Sequence, residues 1–242
     1  RADRGNPERI EVLRIWPGPV RLDDGRNAVR LVGEARVDQI VKEGLWAEEP
    51  AVLKAAQAYE KLASKGYLSP TIGSSVWPAN QNGELALGDA AMYLNGSWLP
   101  NEVRGMTGDD FLWGCFPYPT VEGGANGHEA ANFGAQVFGI NKNSEVAQEA
   151  FELIEFFTKG EYDLKLSQES LGIPADTRNA EWPKQLSEVK PIMAQLTTRW
   201  NWAGGIEDNP DIFPVIKENL QKLYGGSITA QQFVDTLEAA AK

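Results

Sequence analysis

The stretch from Gly88 to Trp98, GDAAMYLNGSW, constrains the fold of this chain more than any other segment. An apolar run at residues 90–94 lies between Gly88 and the pair Asn95-Gly96, which is typical of a buried strand that ends in a turn. Trp98 follows this turn directly. Open α/β sheets hold their ligand crevices at such strand ends, where an exposed indole ring can act as a stacking platform. The alternative is that Trp98 caps a hydrophobic core, because most aromatic area in a protein is packing area.

Four more segments accompany this stretch in a fixed order. They are residues 113–119 (WGCFPYP), 133–144 (FGAQVFGINKNS), 172–174 (GIP) and 223–233 (LYGGSITAQQF). Together with GDAAMYLNGSW, which matches the pattern G-x-A-A-M-x-x-x-G-x-W, they resemble the family 1 extracellular solute-binding proteins, the receptors of ABC-type importers for sugars and oligosaccharides. Each segment alone is a weak signal, but five in order are a strong one. The resemblance covers most of the chain from about Leu45 onward.

The resemblance implies an α/β fold of the two-lobed periplasmic-binding-protein type (type II), with one lobe nearly complete and the other partial. The second lobe would comprise residues 1–119 and 175–242, and residues 124–172 would be a segment of the first lobe. The chain would cross between the lobes at residues 117–124 and at residues 171–175. An extended α/β region that precedes these segments in the family is absent here, so we expect weak or no ligand binding by this chain alone.

Local patterns predict the elements of the first half of the chain. Residues 12–16 alternate as a strand does, and residues 26–32 could form a second strand after a turn. Pro50 suits the first position of a helix, whose apolar stripe ends before Gly66. That stripe is predicted to lie in the core.

The second half is predicted to contain one strand and several helices. Residues 133–140 would form the strand, and Ser144 would cap a helix with an apolar stripe. That stripe consists of Val146, Ala150, Leu153, Ile154 and Phe157. Thr229 and Gln232 are spaced as a capping box, which predicts the start of the last helix.

The charge of the chain limits its partners. The 34 acidic and 23 basic residues give a formal net charge of −11, and the basic residues are scattered. Nucleic acids and anionic membrane surfaces require clustered Lys and Arg, so we expect neither as a partner and expect a neutral or cationic ligand. No apolar run approaches the ~20 residues of a membrane span, and the N-terminus resembles neither a signal peptide nor a lipobox. Any export signal would therefore have been removed or lie outside this sequence.

The single cysteine and the single histidine leave little room for metal or nucleophilic chemistry. Cys115 cannot form an internal disulfide, and its apolar neighbours predict a buried thiol. His128 lies in a glycine-rich loop, and nothing near it resembles a nucleophile elbow. One histidine cannot build a histidine-based zinc site. We therefore expect no cofactor, no metal and no catalytic residue.

The eight tryptophans point to carbohydrate, because several of them stand beside Gly, Pro or Asn rather than in apolar stripes. A pyranose ring offers a face of C–H groups to an indole plane, and its hydroxyls offer hydrogen bonds to amide and carboxylate groups. The predicted platforms are Trp98, Trp200, Trp202, Trp77 and Phe213, and the predicted polar partners are Asn95, Asn132 and Asp211.

The remaining tryptophans have different predictions. Three of them are assigned to the core or the surface: Trp46, Trp113 and Trp182. The role of Trp16 is left open. Trp77 is as compatible with a structural cap as with ligand contact. Trp200 and Trp202 are two residues apart in a predicted loop, where an extended backbone would point them to opposite sides. We therefore do not expect both of them to lie in the core.

The resemblance implies an extracytoplasmic receptor, periplasmic or anchored as a cell-surface lipoprotein, and the chain is expected to be a monomer. It would capture a carbohydrate, with an oligosaccharide favoured, and deliver it to the permease subunits of an ABC importer after hinge closure. Two other readings stay open. A hydrolase would need two of the 34 acidic residues to flank a glycosidic bond, and an interaction scaffold would bind no sugar.

Overall fold

The computed structural model describes residues 15–16, 26–76, 78–200, 206 and 209–242. Within these residues, short strands alternate with helices that carry most of the structure. The strands are β1 (Ile15–Trp16), β2 (Met92–Tyr93), β3 (Ala130–Asn132) and β4 (Thr198–Trp200). The helices are α1 (Arg26–Val32), α2 (Glu34–Glu43), α3 (Pro50–Ser64), α4 (Ala79–Leu87), α5 (Leu99–Thr107), α6 (Ala147–Thr158), α7 (Gly160–Ser170), α8 (Val189–Ala194), α9 (Ile212–Tyr224) and α10 (Ala230–Ala240). None of the helices described is both long and apolar enough to cross a membrane.

The chain divides into two compact units, and it passes between them four times. Unit 1 contains the described residues through Asn95, then Thr120–Gly127, and then those from Trp200 onward. Unit 2 contains Gly96–Pro119 and His128–Arg199. One passage, between Pro119 and Thr120, falls inside the crossover predicted at residues 117–124. The assignment of the chain to two receptor lobes stays a prediction.

The prediction for the first residues was partly wrong. Residues 26–32 form helix α1 rather than a strand, since short apolar runs do not distinguish the two structures by periodicity. Residues 15–16 do form a strand, β1, which pairs in parallel with β2 so that Ile15 faces Met92. The rest of the segment predicted at residues 12–16 lies outside the described residues.

Unit 1 is built around helix α3, which begins at Pro50 as predicted. Glu49 caps it by accepting a hydrogen bond from the backbone N–H of Ala51 at 3.2 Å. Helices α9 and α10 pack against α3, and Tyr59 meets Tyr224 edge to face with ring centroids 5.2 Å apart. The three helices bury a common apolar core that includes Val52, Ala56, Tyr59, Ile216, Leu220, Leu223, Phe233, Val234 and Leu237.

Helix α10 begins with the predicted capping box. Thr229 accepts a hydrogen bond from the backbone N–H of Gln232 at 3.2 Å, and the Gln232 side chain accepts one from the Thr229 N–H at 2.8 Å. Both bonds satisfy N–H groups that a helix start leaves without partners. The spacing in the sequence was therefore sufficient to locate this helix start.

Unit 2 differs from the prediction in its strand and in a helix cap. Residues 133–140 form no regular strand, and the short strand β3 precedes them at Ala130–Asn132, pairing with β4. A strand needs a neighbour to satisfy its backbone groups, and among the described residues β4 pairs with β3 alone. Ser144 does not cap α6, because that helix begins at Ala147 after Val146.

Helix α6 forms where the apolar stripe predicted it, but the stripe is not buried. Leu153 is 55% exposed and Phe157 is 39% exposed. Phe151 and Phe156, on the same helix, are also exposed. Within the described residues, α6 buries none of its side chains. The amphipathic pattern therefore predicted the helix correctly, but the apolar side chains of the helix are not buried.

The segment after α7 is fixed along that helix by two buried carboxylates. Asp163 accepts hydrogen bonds from the backbone N–H groups of Ala175 (2.9 Å) and Asp176 (3.0 Å) and from the Asn179 amide (2.8 Å). Asp176 in turn accepts one from the N–H of Gly160, the first residue of α7 (2.9 Å). Residues 171–175 therefore lie against α7 within unit 2, and their role as a crossover between lobes stays a prediction.

Candidate functional site

Trp98 lies where the sequence placed it, after β2 and its turn, as the residue that precedes helix α5. The residue is 42% exposed. Its six-membered ring lies so close to Gly96 that a Cβ atom there would clash with the ring. Only glycine leaves room for this arrangement, and the turn is closed by the Leu99 N–H, which donates to the Gly96 carbonyl at 3.1 Å. The turn therefore places a partly exposed indole ring beside the backbone of Gly96.

Asn132 is the second candidate in unit 2, and it ends strand β3. Its side chain is half-buried. The start of the strand is held at Glu129, whose carbonyl accepts hydrogen bonds from the N–H groups of Thr197 (2.9 Å) and Thr198 (3.1 Å). The backbone just before the strand of Asn132 is therefore hydrogen-bonded to the residues at the start of β4.

Trp200 is buried in unit 1, where it is 3% exposed. The guanidinium carbon of Arg30 lies 5.1 Å from the centroid of the Trp200 ring, within the range of a cation–π contact. In this conformation the ring of Trp200 serves as packing surface rather than as a platform. A stacking role for it stays a prediction that requires the ring to become exposed.

The other candidates described in unit 1 are only partly buried or lie on the surface. Phe213 is half-buried in the first turn of α9, and Asp211 is exposed just before that helix. Asn209, rather than Asp211, supplies the helix start with an acceptor, since its side-chain oxygen accepts from the N–H groups of Asp211 and Ile212 at 3.1 Å each. Asn95 is half-buried beyond the end of β2. Trp77 and Trp202 lie outside the described residues.

An aromatic loop in unit 2 was not predicted to belong to the site, although residues 113–119 were part of the family resemblance. Phe111 and Trp113 contact each other with ring centroids 4.9 Å apart at 55°, while Leu112 and Phe116 are exposed. Trp113, assigned to core or surface, is half-buried here. The signal that could have found the loop is the density of aromatic residues among Gly and Pro at residues 111–118. This loop adds a second set of aromatic rings to unit 2.

The prediction of a buried thiol was wrong. Cys115 is exposed, because the loop that carries it runs along the surface instead of entering a core. Its backbone N–H donates to the Glu188 carboxylate. Partial desolvation of the sulfur, and then the negative charge of Glu188, raise the pKa of the Cys115 thiol. The thiol is therefore held in its protonated, weakly nucleophilic form.

Three described carboxylates have a pKa that is lowered by a structural partner. A hydrogen bond from Arg178 holds the pKa of Asp176 below its usual range, and Lys222 does the same for Glu218. The backbone N–H of Ala47 lowers the pKa of Glu238. A general acid in glycoside hydrolysis needs a raised pKa, so none of these three groups is suited to that role. No cluster of three or more His, Cys, Asp or Glu residues that could hold a metal ion occurs in the part of the chain that is described.

Comparison with known proteins assigns the chain to a family. Residues 24–191 match the family of bacterial extracellular solute-binding proteins, and the chain belongs to that family. No curated protein matches the sequence.

Two solved structures share the fold. One comes from work on xylan utilization by the thermophilic bacterium Caldanaerobius polysaccharolyticus, with a TM-score of 0.69 and 16% sequence identity over 94% of this chain. The other is a chitin oligosaccharide binding protein, with a TM-score of 0.73 and 18% identity over 95% of this chain. The aligned region covers 61% and 60% of those two chains. The chain therefore has a solute-binding-protein fold of mixed, helix-dominated α/β content and spans about three fifths of these similar chains.

Proposed function

We propose that this chain is part of an extracytoplasmic receptor that captures a carbohydrate, an oligosaccharide in particular, and delivers it to the permease subunits of an ABC importer. Membership of the extracellular solute-binding family supports the class of function and the location. The two similar structures support the class of ligand, since one is a chitin oligosaccharide binding protein and the other comes from work on xylan utilization. Capture is non-covalent, and the sugar leaves unchanged.

The observation that carries the proposal is the setting of Trp98. A stacking platform must be exposed enough to meet a sugar and rigid enough that little side-chain freedom is lost on binding. Trp98 is 42% exposed, and its ring lies against the backbone of Gly96. The sugar would lie on this ring with its C–H face, while nearby polar groups would bind its hydroxyls.

The proposed site contains further residues that the sequence predicted. Asn132 would supply hydrogen bonds in unit 2, and Asn95 and Asp211 would do so in unit 1. Phe213 would add an apolar contact. Three tryptophans complete the proposed set: Trp77, Trp200 and Trp202. The two lobes predicted from the sequence would close around the sugar by a hinge motion, because only a closed form contacts the sugar from both sides.

The proposal is tested by Trp98→Ala with Trp182→Ala as the matched control. Both tryptophans belong to unit 2 and are partly exposed, but Trp182 contacts Lys190, 5.9 Å from its ring centroid, and is not a proposed ligand residue. Titration calorimetry with xylo-oligosaccharides and chito-oligosaccharides, at up to millimolar sugar, measures the affinity of each protein. Loss of a stacking partner worth about 1–2 kcal/mol lowers the affinity roughly tenfold in Trp98→Ala only.

Two results would contradict the proposal. Equal affinity in the two variants would remove Trp98 from the site. Release of new reducing ends from the sugars would instead identify the chain as a hydrolase, and this is measured in the same samples.

A further inference from the structure

Residues 133–140 of unit 2 were predicted to form a strand, and they lie on the surface without a neighbouring strand. In the part of the chain that the structure describes, their backbone makes no hydrogen bond to another segment. Residues 133–139 are exposed, with Val137 at 85% and Phe138 at 61%. Apolar side chains in water and unpaired backbone groups are both satisfied when a second strand pairs with the segment.

The sequence of this segment lacks the features that protect exposed strands from pairing. Residues 130–141 contain neither a charged residue nor a proline, although 24% of the chain is charged. Lys, Pro and bulges are the usual protection of a strand edge. None of residues 133–140 has a positive φ, so no residue is held in the left-handed conformation that a strand excludes. The segment is therefore free to pair.

Two glycines make the backbone of the segment accessible to another chain. A Cβ atom added at Gly134 or at Gly139 would meet nothing within 4 Å. A strand that approaches the segment edge to edge therefore meets no side chain of the same molecule at these two positions. Glycine also weakens a strand, because its backbone loses more freedom when it is ordered. Pairing at this segment is thus accessible but not strong.

A second copy of the chain is the partner that fits this segment. An uncharged segment does not select a partner by charge, and a second copy presents the same uncharged, unpaired segment. A two-fold axis makes the two segments antiparallel, so that each donates N–H groups to the carbonyls of the other. Val137, near the middle of the segment, then lies close to its own copy.

The size of the contact sets its strength. The exposed side chains of the segment offer roughly 400 Å² per copy, about half of the ~800 Å² that each partner contributes to a stable interface. Each chain also carries a formal net charge of −11, so two copies repel each other at low salt. The pair is therefore expected to form only at high protein concentration and to strengthen as salt screens the repulsion.

We propose that residues 133–140 are a self-association site at which two copies of this chain pair reversibly as antiparallel strands. The inference is independent of the proposed function, since the segment contains none of the residues proposed to bind the sugar. It differs from the monomer that the sequence led us to expect.

The test is sedimentation equilibrium of the full chain from about 10 μM to about 1 mM, the range in which a contact of this size dissociates. The variants are Val137→Asp and Val137→Lys, each alone and in an equimolar mixture. Both variants should keep the fold, because the side chain that they replace is 85% exposed. Leu112→Asp is the matched control, since Leu112 is an apolar residue of unit 2 outside the segment and is 93% exposed.

We expect the mean mass of the unmodified chain to rise from one copy toward two as the concentration increases. Each Val137 variant alone should raise the dissociation constant about tenfold or more, because like charges then lie opposite each other. The mixture should associate more strongly than either variant alone, and Leu112→Asp should match the unmodified chain. In hydrogen exchange at the highest concentration, alternate amides of the segment should be slowed, since a strand donates every second N–H to one neighbour.

Two results would overturn the proposal. The first is a mass of one copy at every concentration, which would leave the segment to another polypeptide, such as the parts of the similar structures outside the aligned region. The second is association of Val137→Asp that equals association of the unmodified chain, because the contact would then lie elsewhere.

Discussion

Helix α9 in unit 1 and helix α6 in unit 2 have the same kind of sequence and opposite surroundings. Both carry an apolar stripe at helical spacing, and both form. The stripe of α9 is buried against α3 and α10, with Leu223 at 0% exposure, whereas Leu153 on α6 is 55% exposed. The comparison shows that an amphipathic pattern determines the helix and its apolar face, but that burial depends on whether other elements pack on that face.

A pair of leucine truncations tests this difference between the two helices. Leu223→Ala removes a fully buried side chain and should destabilise unit 1 by about 2–5 kcal/mol, because transfer and cavity costs add. Leu153→Ala removes an exposed side chain of the same size and should cost less than about 0.5 kcal/mol. Denaturant unfolding followed by circular dichroism measures both. A cost above about 2 kcal/mol for Leu153→Ala would mean that α6 is buried in solution and that the contrast between the units is wrong.

The second effect is smaller and concerns the hydrogen bonds of Asp176 in unit 2. Hydrogen bonds from Arg178, and then from the Gly160 backbone, lower the pKa of Asp176. A carboxyl group whose pKa is lower in the folded state stabilises the fold above its unfolded pKa of about 3.9, and this contribution is lost as pH falls toward the folded value. We expect a stability difference between the unmodified chain and Asp176→Asn that is constant from pH 7 to about 5 and shrinks below pH 4.

The measurement is denaturant unfolding of both proteins across this pH range, with exchange of the Gly160 amide as the local probe. Glu218→Gln is the control, since Glu218 pairs with Lys222 on the exposed surface of α9 and its loss should change little. A difference that grows as the pH falls would reverse the sign and refute the role of Asp176 in unit 2.

The parts of the fold that could be predicted from the sequence are those with local signals. Pro50 marked the start of α3, and the spacing of Thr229 and Gln232 marked the start of α10. Residues 26–32 and 133–140 were assigned wrongly because the choice between helix, strand and irregular structure depends on pairing partners that the local sequence does not show. Cys115 was placed inside for the same reason, since apolar neighbours do not guarantee a covering layer.

The candidate site was predictable to a similar degree. The motif located Trp98 after a turn, and the structure adds the reason for the glycine, since the indole ring occupies the space that a side chain at Gly96 would need. Burial of Trp200 under Arg30 could not be foreseen, because the two residues are far apart in the sequence. The aromatic loop at residues 111–118 was visible as composition but had no position until the fold was known.

We propose that this chain belongs to a receptor that binds intact carbohydrate, and titration of its tryptophan fluorescence with xylo-oligosaccharides and chito-oligosaccharides measures this binding. The account predicts a saturable change in emission that is weakened in Trp98→Ala, with every sugar recovered at its original length. An equally strong change in Trp98→Ala, or recovery of shortened sugars, would contradict it.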